Sequence, residues 1–166
     1  MTKPSFAPSD SEKEQSVEHI FYELQMLLDC RVLFENAAER YRQASTVEDQ
    51  MIWSATQNAI LESFLLHFRN LKQFMDNQKY AKDLKARDYS PAWLPDPSLA
   101  DALEDTRVNR KLAHLSYDRV GGARGWNLES MEKRICSAFQ KFLGSAEVRY
   151  YPLFAGCRTK LAAYGY

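Results

Sequence analysis

The sequence predicts an all-α protein, a four-helix bundle of the up-and-down kind. Three observations lead there. Apolar residues recur at three- and four-residue steps through most of the chain, the spacing that lines one face of a helix. The 166 residues include only 6 Gly and 6 Pro, well below the share that turn-rich sandwiches and barrels need. Hydrophobic residues make up 45% of the chain, enough for one domain of ordinary size to bury a core without staples.

Residues 1–10, with Pro4 and Pro8 among small polar residues, lack periodicity and are expected to form a disordered leader. Residues 11–166 are expected to form a single helical domain. The first predicted helix runs over 12–44, its stripe made by Val17, Ile20, Phe21, Leu24, Leu27, Leu28, Phe34, Ala38 and Tyr41. Ser45-Thr46-Val47-Glu48 has the spacing of a capping box and starts the second helix. That helix carries a stripe of Trp53, Ile60, Phe64, His67, Leu71 and Phe74, with further apolar residues around its circumference, and stops near Asp76-Asn77. So much apolar surface suits a central helix, or one that also meets a second chain.

Residues 78–97 hold three prolines and no sustained period, which predicts a long ordered loop between the second and third helices, pinned by Trp93 and Leu94. Asp96 or Ser98 caps a third helix whose stripe is Leu99, Leu103, Val108, Leu112 and Leu115. Gly121-Gly122 and Gly125 interrupt the chain. Asn127 then caps a fourth helix, with Leu128, Met131, Ile135, Phe139, Phe142 and Leu143 inward and an end at Gly144. The C-terminal tail contains Arg149-Tyr150-Tyr151-Pro152-Leu153-Phe154 and is too aromatic to be left in water. It is expected to pack on the bundle or on a second subunit.

Composition restricts function. No run approaches the eighteen or so apolar residues of a membrane span, and MTKPSFAPSD lacks the apolar segment of a secretory signal, so a cytoplasmic protein without membrane contact is expected. Cys30, Cys136 and Cys157 form an odd set without metal spacing and are read as ordinary core or surface residues. Lys plus Arg equals Asp plus Glu, 22 of each, which excludes a bulk polycation. The balance is uneven, however. Residues 1–50 carry 5 basic and 10 acidic groups, and residues 51–166 carry 17 and 12. Within 107–124, Arg107, Arg110, Lys111, Arg119 and Arg124 face a single acid, Asp118, which predicts a basic surface on the third helix.

On that helix Arg107 and His114 are seven residues apart, so about 700° of rotation leaves them within about 20° of one another, with Arg110 within about 60° of either. Two guanidiniums and an imidazole on one face can hold a phosphate and move a proton. They can equally be solvated charges and an interfacial histidine. Arg69-Asn70 on the second helix reads either as a phosphate or supporting contact or as a polar link to the third helix. His67 lies on the core stripe itself, where a hydrogen-bonded core residue is the common case.

The strings Phe64-Leu65-Leu66-His67-Phe68-Arg69-Asn70-Leu71 and Asn109-Arg110-Lys111-Leu112-Ala113-His114-Leu115-Ser116-Tyr117-Asp118-Arg119, with the aromatic insert holding Asp88-Tyr89 and Trp93 between them, resemble the HEPN superfamily. The likeness covers roughly residues 50–120 and is strongest to abortive-infection-associated, largely uncharacterised bacterial members. It implies a helical bundle, homodimerisation and, in active members, a metal-independent endoribonuclease site without a cofactor. Carried over, Arg107 and His114 would be the catalytic pair. Arg110, Lys111, Arg119 and Arg69 would bind RNA or phosphate, and Asn109 and Asn70 would orient the site. RNA and an antitoxin protein would be the partners of such a toxin-like or phage-defence component. Two other classes stay open: a non-enzymatic helical interaction module that homodimerises or docks a partner through its second helix, and a DinB-like bundle holding a metal with His19, His67 and His114.

Overall fold

A computed structural model describes residues 7–76, 83–99 and 126–166. These form four α-helices and three short 3-10 turns, and among them there is no strand. The chain is an all-α bundle. The predicted third helix lies outside the described residues except for its start, through Leu99, and the glycine break that follows it lies outside them too.

Helix α1 spans Asp10–Gln43. Ser9 caps it through a capping box in which its hydroxyl accepts from the Glu12 amide at 3.3 Å and its own amide donates to the Glu12 carboxylate at 2.7 Å. The helix thus begins inside the stretch expected to be a leader. Helix α2 spans Val47–Met75. Its cap is Thr46 working with Asp49 rather than Ser45 with Glu48: Thr46 has extended backbone and its hydroxyl accepts from the Asp49 amide at 3.0 Å. With three residues between them, α1 and α2 form an antiparallel hairpin about 50 Å long.

Helix α3, Leu128–Ser145, is capped by Asn127, whose side-chain oxygen accepts from the Ser130 amide at 3.0 Å. It packs against one end of both hairpin helices. Every residue of its predicted stripe is buried. The tail forms a 3-10 turn, Val148–Tyr150, and a short helix α4, Ala155–Ala163, against α1 and α3.

The core is aromatic and centred on Phe142. Phe74, Tyr89, Trp93, Phe139 and Phe154 surround it in edge-to-face contacts with centroids 5.1–6.4 Å apart, the arrangement that matches ring edges to ring faces. Tyr150 joins through Tyr89 at 5.2 Å.

Loop and tail are drawn in by the helix ends as well as by the rings. The last carbonyls of a helix have no partner within it. The Trp93 indole donates to Met75 O at 2.8 Å, the Ser90 hydroxyl to Ser145 O at 2.8 Å, and the Arg158 guanidinium to Leu143 O at 2.7 Å. Trp93 is therefore an anchor of the connection. Leu94, expected to share that role, is exposed. The last turn is fastened by Lys160 and Tyr164, both donating to Asp29, and by Tyr166 donating to Glu132 at 2.9 Å.

Candidate functional site

A cleft of about 220 Å³ opens between α1, α2 and the start of the connection. On α1, His19 and Glu23 stand one turn apart with Ile20 beside them. On α2, Asn70, Leu71, Gln73 and Phe74 face them, and Asp83 and Leu84 close one side. The floor is apolar, with Ile20, Leu71 and Phe74 buried. The polar groups stand around it.

Glu23 is the best positioned of these. Its Oε2 accepts from His67 Nδ1 at 2.7 Å and from Asn70 Nδ2 at 3.1 Å. An ionised carboxylate can only accept, so the imidazole presents Nδ1–H to it. His67 is 5% exposed and is held on its other side by the edge of the Tyr22 ring, centroids 5.6 Å apart. Residues 67, 70, 71 and 74 recur at helical spacing. Two of them hold the carboxylate and two make the floor.

The sequence-derived candidates divide in two. Arg107, His114, Arg110, Lys111, Arg119 and Asn109 all lie outside the described residues. Asn70 and Arg69 are described. Asn70 makes a polar link between helices, but to Glu23 on the first helix, where the sequence pointed to the third. Arg69 is half-buried, and its Nε is enclosed without a hydrogen-bond partner among the described residues. His67 is a hydrogen-bonded core histidine, as its place on the stripe suggested.

Glu23, Gln73 and Asp83 escaped the sequence reading. A His19-x-x-x-Glu23 pair was visible as an i,i+4 couple, but nothing in the string says that α2 presents His67 and Asn70 opposite it. Of the three histidines considered as metal ligands, His114 is outside the described residues and His67 Nδ1 is engaged by Glu23. Among the described residues no group of three His, Cys, Asp or Glu side chains could share an ion. The three cysteines are buried thiols. Burial pushes Cys157 up to about 12 and raises Cys136 as well, so neither is a ready nucleophile.

The far end of the hairpin is the second notable surface. From Val47 to Ser63, α2 buries no side chain. Val47 is 75%, Met51 68% and Ile52 53% exposed, and Tyr41 of α1 is also exposed. Tyr41, Val47, Met51 and Ala55 line a shallow groove there, with Gln50, Ser54 and Asn58 at its edge. Between Gln50 and Leu61 the chain has no charged residue, which is unusual for a helix facing water and typical of the centre of an interface.

No described helix is long and apolar enough to cross a membrane. Comparison with protein-family models, with curated proteins and with solved structures finds no match for the chain.

Proposed function

We propose that the chain is a homodimerising helical interaction module that pairs with a second copy through the distal half of the α1–α2 hairpin. The observation that carries this reading is the charge-free, unburied stretch of α2 from Gln50 to Leu61 with Val47, Met51 and Ile52 exposed beside it. Two such faces meet without like charges opposed. Ser54, Ala55, Thr56 and Ala59 are small enough to let helices approach closely. The hairpin beyond the core presents two helices side by side over about 25 Å, or about 500 Å² per copy and about 1,000 Å² in a dimer, the lower bound for a specific interface. The expected dimer is therefore weak, with a Kd on the order of 10 µM.

Sedimentation velocity across a concentration series tests it. The wild type should shift from one to two chains through the micromolar range, and Met51→Asp with Ile52→Asp should stay single while remaining folded. A wild type that stays single at about 1 mM ends the proposal.

The string Asn109 to Arg119 favours a second reading, a HEPN-like metal-independent ribonuclease. In that reading His114 acts as general acid or base while the RNA 2′-hydroxyl attacks its own phosphate, and Arg107, with Arg110, stabilises the charge that builds on phosphorus. Lys111, Arg119 and Arg69 would hold the backbone. Expression of wild type and His114→Ala at equal level, with cellular RNA integrity as the readout, decides it. Intact RNA in both removes the ribonuclease reading and leaves the dimer proposal standing.

A further inference from the structure

We infer that the cleft between α1 and α2 binds a small organic cation, an ammonium group carried on a short hydrocarbon body. The inference concerns the end of the hairpin opposite the dimer face and does not depend on it.

The lining sets the charge. Glu23 and Asp83 contribute two carboxylates and His19 an imidazole, and among the described residues no Lys or Arg lines the cleft. Asn70 has committed one of its two amide hydrogens to Glu23, and its carbonyl oxygen offers an acceptor to a cation. An anion entering here would meet two like charges. A neutral polar group would lose water and gain acceptors it could satisfy only in part.

The geometry sets the affinity for a cation. Both donors that reach Glu23, from His67 and Asn70, fall on Oε2. Its Oε1 takes no hydrogen bond from the described residues, and the side chain retains 24% of its exposure. The carboxylate is thus held in one orientation by a buried imidazole, with Oε1 open to a further donor as far as the described residues go. Such a group meets a cation without paying again for its own ordering. The apolar floor of Ile20, Leu71, Phe74 and Leu84 then takes the hydrocarbon part, as in most small-molecule sites. A volume of about 220 Å³ equals about seven waters at ~30 Å³ each, which suits a ligand of roughly seven to ten non-hydrogen atoms.

Calorimetric titration of the full chain with 2-phenylethylamine, 2-phenylethanol and 3-phenylpropionate tests the inference, since the three share a body and differ in charge. The amine should bind saturably with a Kd of about 0.1–1 mM, the alcohol at least about tenfold more weakly, and the acid not at all. Glu23→Gln should weaken the amine at least about tenfold, and Asp83→Asn, an exposed position, about two- to fivefold. Equal binding of amine and alcohol, undiminished amine binding by Glu23→Gln, or no saturable amine binding up to about 10 mM overturns it. If Glu23→Gln does not fold, the amine-to-alcohol ratio of the wild type and the Asp83→Asn variant decide the matter.

Discussion

The two ends of the α1–α2 hairpin are continuous with each other, yet they have opposite surroundings. At the proximal end α1 buries Val17, Ile20, Leu24, Leu27, Leu28 and Cys30, and α2 buries Phe64, Leu65, Phe68, Leu71, Phe74 and Met75, against α3, the tail and the connection. At the distal end Ala37 is the one buried residue of α1 after Cys30, and α2 buries none before Phe64. Both ends carry apolar residues at helical spacing. Periodicity therefore shows which side of a helix is apolar, while the presence of a third element decides whether that side is dry.

Substitutions sort along this axis. The largest effect is expected at the proximal centre. Phe142→Ala removes a ring that touches five others and should cost about 3–5 kcal/mol, lowering Tm by about 10 °C or more in thermal unfolding. Next comes the polar clamp. His67→Ala deletes a buried imidazole and leaves Asn70 as the one donor to Glu23 among the described residues, an expected loss of about 2–3 kcal/mol in urea denaturation.

A smaller effect depends on pH. Hydrogen bonds from Lys141 at 2.6 Å and from the Ser98 amide at 2.9 Å hold the Asp96 carboxyl down at about 2, against an ordinary value of 3.8. A depressed carboxyl contributes stability above its unfolded pKa, and that contribution is lost as pH falls from about 4 through about 2. Lys141 is 62% exposed, so solvent reduces the pair to about 1 kcal/mol. Denaturation of wild type and Asp96→Asn should differ by that amount at about pH 6 and converge near pH 2.

The smallest effect belongs to the distal end. Met51→Ser should change the stability of the single chain by less than about 0.5 kcal/mol, while weakening self-association in sedimentation. A large loss of stability at low concentration, where copies are apart, would place Met51 in the core of the single chain and erase the contrast between the two ends.

Much of the bundle was readable from local chemistry. Asn127 as a cap and the six inward residues of α3 were placed correctly because each acts within one helical turn or one stripe. The start of α2 lies one residue later than the sequence suggests, since Ser45 and Thr46 can both cap and the side-chain types alone do not choose between them. The tail was harder. That Tyr150 and Phe154 must be covered followed from their chemistry, but that Tyr89 covers Tyr150 and Phe142 covers Phe154, and that Arg158 closes the end of α3, required these segments to be in place. The pairing of His67 with Glu23 across 44 residues had no signal of its own in the string.

What the sequence determined by itself is what propagates along one helix: which segments coil, where they are capped, which face is apolar and where charge is absent. Tertiary structure alone decided which apolar faces are covered, which carboxylate His67 and Asn70 hold, and where a cleft remains. The physical reason is that helical hydrogen bonds and capping link residues within about four positions of each other. Burial and ion pairing depend on the register between helices, which arises only when they pack.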